Sequence, residues 1–332
     1  MVLEARAFWL TGPGRGELRM ERLPDPGPDD VLVRTLVTGV SRGTEALVAR
    51  GAVPASEHTR MRAPFQAGDF PWPVKYGYLA VGVAECGPAA LRGRRVFVLH
   101  PHQDRFVVPA SAVTVVPDDV PTRRAVLAGI VETAVTVLWD AGVMAGDRVA
   151  VVGAGPVGCC VAVLLARTPG TRVTLVDVDP ARASVATALG VGFALAAGAP
   201  REHDVVVHAS GTAEGLRLAL DLAAADATVV EASWHGDREV CLPLGGAFHA
   251  RRLDLRSSQV GTIPPGARRR WDPAGRRALA LDLLRDSVFD HLLAGESVAE
   301  ELPDVVRRLA AGTLPGLMHT VRHAREDPSC SA

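Results

Sequence analysis

One run limits what this chain can fold into more than any other feature: Arg148-Val149-Ala150-Val151-Val152-Gly153-Ala154-Gly155-Pro156-Val157-Gly158. Four apolar residues read as a buried strand. Three glycines follow in the pattern GxGxxG, and the apolar stretch Val157–Arg167 then carries helical length and spacing. Gly153 permits the tight turn, Gly155 leaves bare backbone where a ligand approaches, and Gly158 lets helix and strand pack closely. Pro156 and Val157 open the helix, whose N-terminal amides suit a phosphate.

GxGxxG alone recurs by chance, so its surroundings decide. The next strand ends in Val176-Asp177. A carboxylate there accepts both hydroxyls of a ribose and repels a 2′-phosphate, which favours NAD and makes NADP the lesser expectation. Arg182, close by, can touch the adenosine side and softens that exclusion. The bland alternative is that Asp177 caps the helix starting near Pro180.

From Pro121 onward, strands and helices alternate. Ala125–Ala141 reads as a helix. Strands are expected at Val149–Val152, Val173–Val176, Asp204–His208, Thr228–Ala232 and Leu253–Val260, with helices at Ala181–Leu189 and Ala213–Ala224 between them. This α/β alternation implies a doubly wound parallel sheet covered on both faces. Ligands bind beyond the carboxyl ends of such strands. His208, Ser210 and Gly211 at the end of the strand Asp204–His208, and Ser233 and Trp234 after Thr228–Ala232, are therefore candidates for the nicotinamide half. Ser257, Ser258 and Gln259 are candidates for its carboxamide.

Residues 1 to about 120 read instead as short β segments separated by turn signals such as Pro24-Asp25-Pro26-Gly27-Pro28. Two helical patterns follow residue 271, Arg276–Leu293 and Val298–Ala311, and a strand near Met318–Arg322 can rejoin the first part. The expected organisation is 1–123 with 271–332 as a β-rich substrate domain, and 124–270 as the nucleotide domain.

Composition excludes several classes. With 36 Lys and Arg against 37 Asp and Glu, the net charge is -1. No excess basic charge collects phosphates, so no nucleic-acid partner is expected. Arg251-Arg252 and Arg268-Arg269-Arg270 read as solvated loop charge. The uncharged stretch Val149–Ala166 contains Gly153, Gly155, Pro156 and Gly158, which break a membrane helix. Met1–Arg6 shows no basic segment leading into an apolar core, so a cytoplasmic setting is expected. Of five cysteines, none form a CxxC pair. Cys159-Cys160 reads as small apolar packing, with a redox pair as the alternative. Lys75 is the only lysine, and Tyr76 and Tyr78 are the only tyrosines.

A β-rich first domain, a central nucleotide domain and a C-terminal return resemble the medium-chain dehydrogenase/reductase superfamily over nearly the whole chain. Ser41-Arg42-Gly43-Thr44-Glu45 and Gly77-Tyr78-Leu79-Ala80-Val81-Gly82 resemble its bacteriochlorophyllide-type dehydrogenase branch. The resemblance implies a GroES-like catalytic domain beside the Rossmann domain. Zinc members carry a cysteine in the first motif and Gly-His-Glu in the second. Here Ser41 stands at the cysteine position, and Tyr78 and Leu79 replace histidine and glutamate. Glu132 sits at or near a third ligand position, and the cysteine-rich lobe is missing. Hydroxyls are poor zinc ligands, so no zinc is expected. His100-Pro101-His102 remains either a metal pair or two loop histidines.

Without a metal, something must manage the proton that accompanies a hydride. Tyr78, Lys75, Glu132 and Ser41 are the candidates. Lys75 would lower the phenol's pKa if it reached Tyr78, although strand alternation puts the two on opposite faces. The bland readings are packing for Tyr78, solvation for Lys75 and helix N-terminal charge for Glu132. Arg42 and Thr44 either line the substrate cleft or shape a turn. The expected activity is zinc-independent, NAD-dependent hydride transfer on an alcohol or carbonyl of a small molecule of specialised metabolism. A C=C reductase and a non-catalytic NAD(H)-binding protein are the alternatives. A homodimer is the default assembly.

Overall fold

Six strands pair in parallel in the computed structural model, which describes residues 3–323. Their order in the sheet is Gly192–Leu195, Arg172–Asp177, Arg148–Val152, His203–His208, Ala223–Glu231 and Asp254–Ser257. The first strand in sequence thus lies at the centre, between the second and the fourth. The chain winds outward from it in both directions and leaves a crevice at the carboxyl ends there. Val149, Ala150 and Val151 are wholly buried, as expected of a strand covered on both faces. The uncharged stretch at 149–166 is a strand, a glycine turn and the helix Pro156–Ala166. No helix among the described residues is long and apolar enough to cross a membrane.

The chain divides into two compact units. One runs up to Gly129 and resumes at Leu293; the other is Ile130–Leu292. The first is β-rich. Asp30–Val40 pairs with Ala80–Cys86, with Arg105–Pro109 and, antiparallel, with the late strand Met318–Arg322. The expected C-terminal return is this last pairing. It begins at Leu293, not at 271, because Pro273–Leu283 belongs to the nucleotide unit. That helix is capped by Asp272, which accepts from the Gly275 amide, and it is anchored by its buried Arg276.

Two further elements depart from the sequence reading. The helix expected over Ala125–Ala141 is a single turn, Thr122–Ala125, followed by Ala128–Ala141. The helix expected over Arg276–Leu293 ends at Leu283, and a 3-10 segment, Ser287–Leu292, follows it. There Asp286 turns back to accept from the Val288 amide, the local competition that makes Asp a helix breaker.

Candidate functional site

The glycine turn has the geometry that each glycine's role requires. Gly153 has φ +108°, and a Cβ there would lie 2.6 Å from the backbone of Ser210. A Cβ on Gly158 would lie 1.9 Å from the Gly153 carbonyl oxygen, so helix and strand touch through bare backbone. At Gly155 a Cβ would meet nothing within 4 Å. The loop is therefore closed on its protein side and open on the other, and Pro156 starts the helix with Gly155 as its cap.

These contacts separate two substitutions. Gly158→Ala drives a methyl into backbone, and overpacking of this kind costs about 1–3 kcal/mol or more. It is expected to lower the unfolding midpoint and abolish nucleotide binding together. Gly155→Ala is expected to leave stability within about 0.5 kcal/mol while weakening dinucleotide binding. Parallel denaturation curves and nucleotide titrations check the pair.

Asp177 is held in place before any ligand arrives. Its Oδ2 accepts from the Ala154 amide at 2.6 Å, and its Oδ1 from the Asp179 amide at 2.9 Å. An ionised carboxylate offers about four acceptor sites, so capacity for ribose hydroxyls remains. Arg182 is paired with Asp179 at 3.3 Å.

Beyond the fourth and fifth strands the expected residues adjoin, but not all through their side chains. The Gly211 amide donates to Ser233 Oγ at 3.0 Å, and Trp234 follows half-buried. His208 is fully buried. Its ring turns inward to Glu231 Oε2 at 2.7 Å and to Ser210 Oγ at 2.6 Å, so both ring nitrogens are engaged by protein groups and neither is left over for a nicotinamide. Glu231 and His235, which complete this cluster, were missed; their spacing of four residues was the available signal. Ser258 is tied to Asp140 and Gln259 to the Gly261 amide.

In the β-rich unit, Tyr78 donates its hydroxyl proton to Ser41 Oγ at 2.6 Å. Tyr78 is partly exposed. Burial pushes the phenol up to about 12, against the opposing hydrogen bonds from Ser41 and Thr44. Tyr76 is buried and meets Tyr78 edge-on at 6.3 Å. The Ser41 amide donates to Glu45 Oε1 at 2.8 Å, and Glu45 Oε2 reaches His102 Nε2 at 3.0 Å. His102 continues to Thr38 Oγ1 and then to His323. Glu45, His102, Thr38 and His323 are all buried. Burial lowers His323 to about 3, so its ring is neutral at neutral pH.

Three expected site residues are committed elsewhere. The Lys75 ammonium donates to Glu21 at 2.6 Å and Gln103 at 2.9 Å, so the geometry pairs Tyr78 with Ser41 and not with Lys75. Glu132 is gripped by Arg276 through Nε at 3.1 Å and Nη2 at 3.0 Å, a buried anchor inside the nucleotide unit. The Arg42 guanidinium donates to the Leu314 and Gly316 carbonyls and so fixes the turn that carries Ser41. The two loop histidines are buried: His100 stacks on Phe106 at 3.7 Å and burial lowers it to about 3, whereas His102 serves Glu45. Cys159 and Cys160 are buried with thiols pushed upward by burial, which is packing and not redox chemistry.

Known proteins share this architecture. No family model matches the chain. An L-threonine 3-dehydrogenase of Sinorhizobium medicae is 27% identical over 260 residues, 66% of this chain and 70% of that protein. One from Rhizobium rhizogenes is 30% identical over 122 residues, 36% of this chain and 34% of that protein. The solved L-idonate 5-dehydrogenase of Escherichia coli K-12 superposes with a TM-score of 0.79 at 14% identity, covering 97% of this chain and 99% of that one. A dehydrogenase of Sinorhizobium meliloti 1021, described as zinc-binding and solved with NADP, gives 0.76 at 19% identity over 96% and 99%. The fold is that of the medium-chain dehydrogenases, a GroES-like unit and a Rossmann unit. These relatives support the resemblance at superfamily level; the narrower bacteriochlorophyllide-type resemblance has no support among them.

Proposed function

We propose that this chain is a nicotinamide-dependent oxidoreductase acting on an alcohol or carbonyl, that it prefers NAD(H), and that it works without a catalytic zinc. The observation that carries the reading is the glycine turn closed against protein and open at Gly155, with Asp177 already oriented beside it. When bound, nicotinamide supplies the hydride exchange with the carbon that bears the substrate oxygen. The chain's part is to grip the dinucleotide and to handle the proton on that oxygen.

The Ser41 position argues against zinc on chemical grounds. Its donors are two neutral hydroxyls bonded to each other, and a phenol raised to about 12 does not ionise to serve as a ligand at neutral pH. Zinc sites use thiolate, imidazole and carboxylate. Tyr78 and Ser41 instead supply a hydroxyl pair that stays protonated at neutral pH and can pass a proton to a developing alkoxide.

Fluorescence titration with NADH and NADPH, followed by turnover on a panel of aldehydes, ketones and alcohols, tests the proposal. NADH is expected to bind more tightly. Asp177→Ala is expected to weaken NADH by roughly 10- to 100-fold, the worth of a hydrogen bond to a charged group, and to narrow the gap to NADPH. Equal affinity for both nucleotides in the parent chain would overturn the NAD preference. Capture of neither would overturn the whole reading.

A further inference from the structure

We propose that His208, Glu231 and His235 form a binding site for a divalent first-row transition ion of the zinc class, at the carboxyl ends of two neighbouring parallel strands. The proposal goes beyond hydride transfer and stands whether or not that reading holds.

Backbone register builds the cluster. His208 and Glu231 are directly paired in adjacent strands, and His235 follows Glu231 by four residues. One donor atom from each lies within 4.8 Å of the others. His208 Nδ1 stands 2.7 Å from Glu231 Oε2, and His235 Nε2 stands 3.4 Å from the same oxygen. The two imidazole rings are nearly parallel, 17° apart, with centroids at 5.9 Å. Ligand atoms about 2.0–2.2 Å from a shared zinc ion stand about 3.3–3.6 Å apart in tetrahedral geometry. The second distance already fits. The first must open by about half an ångström or more, and the His208 and His235 donor atoms, which lie within 4.8 Å of each other, must draw together.

Two outer contacts suit the same role. Metal-bound histidines direct their other nitrogen to a hydrogen-bond partner, and metal-bound carboxylates are themselves hydrogen-bonded. His208 Nε2 lies 2.6 Å from Ser210 Oγ, a hydroxyl that donates or accepts with either tautomer. The spare oxygen of Glu231, Oε1, accepts from the Ser233 amide at 2.6 Å. His208 is fixed by complete burial, while the side chains of Glu231 and His235 keep 15% and 16% of their surface exposed, which leaves an ion a way in. Three protein donors of types N, O and N leave a fourth position for water or substrate. Among the described residues, this is the one group of three or more such donors close enough to share an ion.

The test uses the full chain, stripped with chelator and free of nucleotide, and titrated with Zn²⁺ and separately with Co²⁺. One equivalent is expected to bind, with the visible absorption of tetrahedral Co²⁺ and a rise in thermal midpoint. Ser210→Ala should weaken capture by about 10-fold, as loss of an outer partner does. His235→Ala should weaken it by more than about 100-fold, beyond the outer-partner range. The thermal midpoint of His235→Ala in chelator should match that of the parent, which shows that the fold survives. No capture by the parent chain, or equal capture by the parent and His235→Ala, would overturn the proposal and leave His208–Glu231 as a structural hydrogen-bonded pair.

Discussion

An Arg276→Ala variant is expected to lose about 3–5 kcal/mol of unfolding free energy, the cost of stranding one partner of a buried ion pair. Both side chains of the Arg276–Glu132 pair are only 4% exposed. The guanidinium also donates to Thr136 Oγ1, to the Thr262 carbonyl and to the Val260 carbonyl. Alanine removes all of these donors together and leaves the Glu132 carboxylate, on the helix Ala128–Ala141, without its hydrogen-bonded partner and with only the weaker pull of Arg277. Chemical denaturation of the nucleotide-free chain measures the loss; a deficit below about 1 kcal/mol would contradict the reading. A double variant, Glu132→Leu with Arg276→Met, should recover most of it, because an apolar pair of similar volume removes the stranded charge.

The same variant should carry a pH signature. Burial already raises the Glu132 pKa, and Arg276 pulls it down part of the way. Without Arg276 the folded-state pKa climbs further above the unfolded value. The folded variant then binds a proton more readily than the unfolded chain. Its deficit relative to the parent should be smallest in acid, and should grow as pH rises from the parent's raised Glu132 pKa through the variant's still higher one. If the deficit instead shrank on that alkaline leg, Glu132 would not be the stranded group.

How legible each feature was depends on how far apart its parts lie in sequence. The glycine turn was readable residue by residue because its constraint is steric and local: a Cβ 1.9 Å from a carbonyl oxygen is forbidden in any context. The parallel sheet was readable from the alternation of strands and helices after Pro121. The hairpin Glu4–Gly12 with Arg15–Arg22 was not. The second of those strands, RGELRMER, has no buried residue, so it carries no alternation for a sequence reading to find.

The side-chain partnerships were less accessible still. Tyr78 and Ser41 came to notice through two short motifs. Their hydrogen bond joins a turn at 41 to a segment at 78, and nothing local announces it. Lys75 was attached to Tyr78 by proximity along the chain, whereas the fold spends its charge on Glu21. Glu132 and Arg276 are 144 residues apart, and each alone reads as an ordinary helix charge. The Glu45–His102–Thr38–His323 chain draws on four segments. Burial assembled it, and only the folded structure shows burial.

Tyr78→Phe is expected to lower carbonyl reduction by about 10²- to 10⁴-fold, the usual worth of a positioned proton donor. The substitution removes only the oxygen that donates to Ser41. The ring and its edge-on contact with Tyr76 remain, so stability and NADH affinity should change little. Ser41→Ala should cost less, about 10-fold, because it deletes the partner of one neutral hydrogen bond and leaves the donor in place. The pH profile separates a chemical role from a packing one. The phenol is held to about 12, first by its burial, so from this group the parent's rate should stay level through neutral and mildly alkaline pH and fall only as the phenol begins to ionise. The phenylalanine variant should show no such alkaline fall. A variant that kept both the parent's rate and its alkaline limb would show that the proton comes from elsewhere, and the hydroxyl pair at Ser41 would then be a packing contact.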